Sequence, residues 1–230
     1  MNVLLGKKIL VLTAHPDDEA YASAGTLHLN RKMGGTNYLI CATLGERGSS
    51  HLKRRITSAE LKKIRKQELI RAAKFLGVSK LLILNFPDGK VDKHKKILLG
   101  KVADVAFKYR PDFIMSFGPD GISGHRDHIA VGEIARQVAR GLKTKLAVFT
   151  LPPKFKRQAE KWLLARRRAP HYKKGIAFAN PDLRVKIDPE IKKRALRFHA
   201  SQMDDENVFS GFPKYAVREL LRYEYFRFLL

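Results

Sequence analysis

Short apolar runs alternate with amphipathic segments over the first two thirds of the chain. Five runs have strand length and are apolar without alternation: Lys8–Ala14, Tyr38–Leu44, Leu81–Phe86, Phe113–Phe117 and Leu146–Leu151. Between them, helical periodicity covers Asp18–Met33, Ile56–Leu76, Lys95–Tyr109 and Asp127–Arg140. Continuous hydrophobicity is typical of strands that are covered on both faces. The order predicts an α/β fold, a mostly parallel sheet with helices on both faces.

The pattern changes after Pro152-Pro153. There we predict a basic helix, a hairpin or pair of short strands, and two further helices, over Phe155–Arg168, Gly175–Ile187, Pro189–His199 and Pro213–Phe228. No stretch resembles a flexible interdomain linker. Residues 1–230 are therefore predicted to form a single domain, with 152–230 as an α+β C-terminal elaboration.

The composition fits a globular protein, with 44% hydrophobic and 30% charged residues. No apolar stretch approaches the roughly 20 residues that a membrane span needs. The first residues read as a strand and lack the features of a signal peptide. Cys41 is the only cysteine, which excludes an internal disulfide and a thiolate metal cluster. We expect a cytoplasmic protein, because that compartment is reducing.

The net charge is strongly positive, with 46 Lys and Arg against 22 acidic residues, or +24. Nine basic residues fall in Lys53–Lys74 and nine more in Lys154–Lys174. Such a field attracts phosphates, acidic lipids, nucleic acids or acidic proteins. Nucleic acid is a partner we do not favour, because the basic segments lack interleaved aromatic residues. Zinc-finger and helix-turn-helix spacings are also missing.

The hexapeptide Ala14–Glu19, AHPDDE, directly follows the first apolar run. Ligands of open α/β sheets bind beyond the carboxyl ends of the strands, so the hexapeptide lies where a site is expected. His15 and Asp18 offer a nitrogen and an oxygen that together suit zinc. Asp17 between them could stay unligated, near a metal-bound water. Helix capping is an alternative role for the acidic residues, but capping requires no histidine.

A second cluster, GHRDH at Gly124–His128, follows the run that ends at Phe117. Either His125 or His128 could complete a His-Asp-His set that leaves one coordination position open, as in catalytic zinc sites. The other histidine would then serve proton transfer or oxyanion stabilisation. Asp127 would either orient a neighbouring histidine or cap the following helix.

Together these motifs resemble the PIG-L/LmbE-like N-acetylglucosaminide deacetylases. The hallmarks of that family are A-H-P-D-D-E near the N-terminus and a later G-H-x-D-H, and both are present. Weaker similarities follow in TLGERG at Thr43–Gly48, in PDG at Pro87–Gly89 and in HASQ at His199–Gln202. After Glu19 the chain departs from the double glycine that many members carry.

The resemblance implies a Rossmann-like fold and a metal-dependent N-deacetylase acting on an N-acetylglucosamine-type amino sugar or its conjugate. Zinc is the expected metal, and another divalent ion is the alternative. It implies His15, Asp18 and His128 as metal ligands, with Asp17 as the general base. His125 would stabilise the oxyanion or donate a proton. Trimers and hexamers occur in the family, so a homo-oligomer is also allowed.

Substrate-binding candidates come from the family's second helix and later motifs. Arg65 would hold sugar hydroxyls with Asp88 opposite it, and His199 would lie near the pocket. The alternative for Arg65 is an ion pair with Glu68 on the same helix. The high charge would suit an anionic or lipid-linked substrate. The competing hypothesis is a nucleic-acid or acidic-surface binding protein on an inactive hydrolase fold.

Overall fold

The computed structural model describes residues 2–52, 54–122, 124–155, 180–203 and 214–230. Its strands are β1 Lys8–Thr13, β2 Thr36–Thr43, β3 Val78–Phe86, β4 Phe113–Phe117, β5 Lys145–Phe149, β6 Leu183–Lys186 and β7 Tyr223–Phe228. They form one sheet in the order β3-β2-β1-β4-β5-β7-β6. The first five strands pair in parallel, and β7 pairs antiparallel with both β5 and β6. The prediction of a mostly parallel sheet is confirmed.

The helices are α1 Asp18–Ala22, α2 Ala24–Lys32, α3 Ser58–Phe75, α4 Lys95–Tyr109, α5 Arg126–Leu142, α6 Pro189–Arg197 and α7 Lys214–Arg222. Short 3₁₀ turns lie at Val91–His94, Pro153–Phe155 and Ala200–Gln202. From β1 the chain adds strands first on one side and then on the other. Because parallel crossovers are right-handed, this reversal places the two groups of connecting helices on opposite faces. Accordingly, α2 and α3 contact α6, and α4 packs against α5.

The core explains why the strand sequences are apolar throughout. Residues 9–12 of β1 are fully buried, and all five residues of β4 are buried. Side chains of a strand point alternately to the two faces, so both faces of these central strands are covered. The apolar faces of these central strands leave the strand ends as the place where a polar site can form.

The segment predicted as one helix over Asp18–Met33 is two helices that break at Ser23. The break leaves free backbone N–H groups at the start of α2. Glu224 of β7 accepts hydrogen bonds from two of them, Gly25 N at 2.9 Å and Thr26 N at 2.8 Å. A carboxylate at a helix N-terminus is favourable, so a distant residue stabilises this second start.

The prediction of a helix through Pro213–Phe228 is wrong after Arg222, where β7 begins. Four of the six residues of Tyr223–Phe228 are aromatic, a composition that favours strands. The strand β6 falls within the predicted hairpin region Gly175–Ile187. Most of the predicted basic helix Phe155–Arg168 lies outside the described residues.

The strand order creates a crevice between β1 and β4. The chain leaves β1 toward β2 on one side and later returns to place β4 on the other. Such a switch point opens a cleft at the carboxyl ends of the two strands. Both histidine-bearing motifs follow these two strands, so the fold brings them together.

Candidate active site

Four segments border the crevice at the carboxyl ends of β1 to β4. Residues 14–19 follow β1, and residues 118–128 follow β4. The loop at 44–48 after β2 is joined to the turn at 87–90 after β3, because Arg47 N donates to Asp88 Oδ2 at 2.9 Å. Side chains from all four segments can therefore meet in one place.

Three ligand-type atoms converge there. His15 Nδ1 lies 3.2 Å from His128 Nε2, and His128 Nε2 lies 3.3 Å from Asp18 Oδ1. His15 Nδ1 lies 3.9 Å from Asp18 Oδ2. Atoms bound to one tetrahedral zinc ion at its usual bond lengths are separated by about 3.4 Å. The spacing of these donors fits a shared divalent cation.

His15 and His128 each use one ring nitrogen for a hydrogen bond. These hydrogen bonds orient the rings so that the other two nitrogens face each other. His15 Nε2 faces Asp88 Oδ1 at 3.1 Å and Asp127 Oδ2 at 3.3 Å. His128 Nδ1 faces the Gly121 carbonyl at 3.0 Å. Each of these ring nitrogens must donate, so in the neutral ring, the form that binds a metal, the opposite nitrogen carries the lone pair. Such outer partners are typical of metal-binding histidines.

The buried carboxylates make the crevice strongly electronegative. Burial lowers the pKa of His15, but hydrogen bonds to Asp127 and Asp88 outweigh it and raise that pKa to about 10. Burial raises the pKa of Asp18, yet His128 holds it well below its usual range. The pKa of Asp88 is likewise about 2, because its contact with His15 overcomes burial. Positive charge is therefore stabilised at this point of the crevice.

Asp17 lies next to these donors in a left-handed backbone conformation, with φ of 103°. Its carboxylate Oδ2 accepts from Arg65 Nη2 at 3.0 Å, and its own N–H donates to Glu19 Oε2 at 3.1 Å. Arg65 also donates to the Pro16 and Gly45 carbonyls. Burial raises the pKa of Asp17 to about 6, against the opposing effect of Arg65. The carboxylate is thus fixed in place and can exchange a proton near neutral pH.

His125 lies at the lip of the crevice and is exposed. It is the N-cap of α5, and its Nδ1 accepts from Asp127 N at 3.2 Å. Its ring meets His15 edge-on with centroids 4.7 Å apart. Nitrogens of His15, His125 and His128 also lie within 4.8 Å of one another. However, it is His128 that approaches Asp18, so the geometry favours His128 over His125 as the third ligand.

Asp127 does not cap α5, since His125 does. Its carboxylate reaches His15 and accepts from Gly89 N at 2.7 Å and Val91 N at 3.1 Å. Of its two predicted roles, the contacts favour the one in which it orients a histidine.

Arg65 and Glu68 have separate partners. Arg65 turns toward Asp17, whereas Glu68 accepts from Ser201 N at 2.8 Å and Ser201 Oγ at 2.7 Å. The alternative of an ion pair between Arg65 and Glu68 does not describe these contacts. Glu68 instead holds the turn that contains Ser201 against α3.

The side chains predicted to bind substrate are buried behind the crevice. Arg65 is 4% exposed, Asp88 6% and His199 1%. Each bonds to another residue of the site: Arg65 to Asp17, Asp88 to His15, and His199 Nε2 to Glu19 at 2.7 Å. These contacts place the three residues next to groups of the site, not on an open surface.

Two residues of the site were not predicted from the sequence. Glu19 contacts both Asp17 and His199, although it was recognised only as part of the motif. Phe117 stacks on the His128 ring with centroids 3.9 Å apart and planes 10° from parallel. A residue that ends a strand just before a histidine cluster is a signal that could have identified Phe117.

The chain matches the family model "PIG-L: GlcNAc-PI de-N-acetylase" over residues 10–139. A probable N-acetyl-alpha-D-glucosaminyl L-malate deacetylase 2 of Bacillus subtilis is 31% identical over 198 residues, 85% of this chain and 83% of that protein.

Two solved structures are similar in fold. The N,N'-diacetylchitobiose deacetylase of Pyrococcus horikoshii has a TM-score of 0.71 and 24% identity, covering 97% of this chain and 84% of that one. GalB, a 4-carboxy-2-hydroxymuconate hydratase of Pseudomonas putida, has a TM-score of 0.68 and 21% identity, covering 97% and 96%. A hydratase and a deacetylase thus share this fold, so the reaction must be argued from the site.

No helix among the described residues is long and apolar enough to cross a membrane.

Proposed function

This chain belongs to the PIG-L family of de-N-acetylases, and we propose that it is a zinc-dependent N-deacetylase that hydrolyses the acetamide of an N-acetylglucosamine-type sugar or its conjugate. The observation that carries the proposal is the convergence of the donor atoms of His15, Asp18 and His128, with the Asp17 carboxylate beside them. A complete set of this kind is what hydrolysis requires. It argues against the alternative of a binding protein that has lost its activity.

We propose His15, Asp18 and His128 as the metal ligands. Two imidazole nitrogens and one carboxylate oxygen suit zinc, and they leave a position for water or substrate. When bound, such an ion polarises a carbonyl and lowers the pKa of water. Asp88 and Asp127 would hold His15 in the tautomer that presents its Nδ1 lone pair.

In this proposal Asp17 is the general base. It accepts a proton from the water whose oxygen forms the new bond to the acetamide carbon. The carboxylic acid so formed can return that proton to the sugar nitrogen as the C–N bond breaks, which gives acetate and the free amine. A group with a pKa of about 6 is suited to both transfers near neutral pH. Arg65 would act through Asp17 by fixing its carboxylate.

His125 is assigned to the developing oxyanion. Because its Nδ1 accepts from Asp127 N, the proton of the neutral ring lies on Nε2. That N–H has no hydrogen-bond partner among the described residues and can donate at the exposed lip of the crevice. Removing one such donor typically lowers the rate about 100- to 1,000-fold.

The substrate is proposed to carry an anionic group, such as a carboxylate or phosphate, or to be lipid-linked. Arg47 supports this view because it is exposed and lies over the turn after β3. Its guanidinium is so close to Gly89 of that turn that a Cβ added there would come within 2.9 Å of Arg47 Nη1. Its backbone N–H is tied to Asp88, which in turn contacts His15. A guanidinium held at this rim is suited to bind an anion bidentately.

The remaining assignments concern the chain as a whole. We propose that residues 1–230 form one domain in which 152–230 is an elaboration, since β6 and β7 extend the same sheet. We propose a reducing cytoplasm as its compartment, since Cys41 is a buried free thiol.

The test is acetate release from N-acetylglucosamine, diacetylchitobiose and a phosphate-bearing N-acetylglucosaminide, with metal-stripped protein before and after zinc is added. The proposal expects zinc-dependent release that Asp17→Asn abolishes while zinc stays bound. Zinc binding without release from any acetamide would contradict the deacetylase assignment. If another divalent ion restored acetate release and zinc did not, only the choice of metal would be contradicted.

A further inference from the structure

A buried acid–base pair lies directly behind Asp17. Glu19 Oε1 and His199 Nε2 are 2.7 Å apart, and the two residues are 0% and 1% exposed. The other oxygen of the same carboxylate, Oε2, accepts the Asp17 backbone N–H at 3.1 Å. His199 is thereby connected to Asp17 through a single side chain, although 180 residues separate His199 from Glu19.

The backbone of Asp17 needs support from its surroundings. A φ of 103° is unfavourable for a residue with a side chain, and such conformations typically cost about 1–3 kcal/mol. Arg65 holds this residue by its carboxylate, and Glu19 holds it by its N–H. Loss of the hydrogen bond from Asp17 N to Glu19 would free the peptide that sets the direction of the Asp17 side chain.

His199 is itself held rigidly. It precedes the turn Ala200–Gln202, in which Ser201 donates two hydrogen bonds to Glu68 of α3. The carbonyl of Ser201 also accepts from His51 N at 2.9 Å. His199 Nε2 faces a carboxylate and so must donate, while Nδ1 is buried without a partner among the described residues. Within the described part of the chain, one of the two ring nitrogens has a partner, and that partner is Glu19.

We infer that His199 is a positioning residue, which orients the Glu19 carboxylate so that it holds Asp17 in the left-handed conformation needed for catalysis. The inference rests on the proposed role of Asp17 as general base. In this role His199 does not contact the substrate; it affects the rate of the chemical step through Glu19 and Asp17. A displacement of about 1 Å in a catalytic group can cost on the order of 100-fold in rate.

Two neutral amides form the matched pair of variants. In His199→Gln the side-chain nitrogen can take the place of Nε2 and donate to Glu19. In His199→Asn the amide is one methylene shorter and lies nearer the place of Nδ1, so the bond to Glu19 is lost. Ser201→Ala serves as control, because it removes only the Oγ hydrogen bond of the same turn; the Ser201 backbone N–H still holds the turn to Glu68, and the His199 side chain is unchanged.

The zinc-loaded variants are compared by kcat, KM, zinc content and the hydrogen exchange of the Asp17 amide. We expect His199→Asn to lower kcat about 10- to 100-fold with KM within about twofold and one zinc retained. His199→Gln should stay within about threefold of the parent kcat, and Ser201→Ala should keep it. The Asp17 amide should exchange faster in the Asn variant and stay protected in the Gln variant.

Equal kcat and equal Asp17 protection in the Gln and Asn variants would overturn the inference. A rise in KM at unchanged kcat would also overturn it, since that result indicates contact with the substrate. If the parent protein released no acetate, the proposed function would fail, whereas the amide exchange would still decide whether His199 controls Asp17.

Discussion

Two substitutions of Asp17, by Asn and by Ala, distinguish its role in proton transfer from its role in the structure of the site. Asp17→Asn retains an oxygen that can accept from Arg65 Nη2, which lies 3.0 Å from the carboxylate in the parent protein. Asn also tolerates positive φ better than most residues, and the φ of Asp17 is 103°. What the variant loses is the ability to take a proton. We therefore expect a stable, metal-binding protein whose kcat is lower by about 100- to 10,000-fold, or roughly 3–5 kcal/mol in activation free energy.

Asp17→Ala should behave differently because it also disturbs the structure. The Arg65 guanidinium, 4% exposed, would lose its carboxylate partner, which typically costs about 1–3 kcal/mol. The parent Asp17 already bears much of the cost of its positive φ, so alanine, which has no polar side chain to bond locally, adds only part of the roughly 1–2 kcal/mol that this conformation costs. The free energy of unfolding should therefore fall by about 2–4 kcal/mol in Asp17→Ala and by about 1 kcal/mol in Asp17→Asn.

The assay combines acetate release, zinc content by mass spectrometry and urea unfolding of both variants. Asp17→Asn with more than a tenth of the parent kcat would refute the assignment of Asp17 as the base. Equal unfolding free energies for the two variants would refute the argument that Arg65 and the left-handed backbone depend on the Asp17 carboxylate.

Three further predictions follow from the structure. Removal of the metal should lower the melting temperature. Zinc at about 1,000 times its dissociation constant should restore about 4 kcal/mol of the free energy of unfolding. His128→Ala should show no such gain in calorimetry. Arg47→Ala should raise KM for a phosphate-bearing N-acetylglucosaminide at least about tenfold more than KM for N-acetylglucosamine, and equal effects in steady-state kinetics would exclude a specific anion contact. Lys192 and Glu224 form a buried ion pair at 3.3 Å, so Lys192→Met should lower the free energy of unfolding by about 3–5 kcal/mol, while Lys192→Met with Glu224→Gln should cost less in urea titrations.

The elements that could be predicted from sequence are those governed by local signals. The helix predicted over Lys95–Tyr109 has those bounds in the structure. The predicted helix Ile56–Leu76 is realised as Ser58–Phe75, where Thr57 and Glu60 form a capping box. Apolar periodicity and capping residues are sufficient for such elements.

The predictions that failed depend on contacts between distant parts of the chain. The break at Ser23 is stabilised by Glu224, and the strand after Arg222 forms because β5 and β6 offer it partners. Within the site, the convergence of the two motifs was predictable from the strand ends. The contact between Glu19 and His199 was not, because no local pattern indicates which distant group will reach a buried carboxylate.

The same long-range contacts have a consequence for the order in which the protein can mature during synthesis. Glu19 and the start of α2 leave the ribosome about 180–200 residues before His199 and Glu224, the groups that hold them. Until those later residues emerge, a nascent chain carries the whole AHPDDE motif without the contacts that His199 and Glu224 provide. Contacts of such high sequence separation form slowly. The two proposed metal ligands that follow β1, His15 and Asp18, would therefore be made first, while the geometry around Asp17 would be among the last features to be completed.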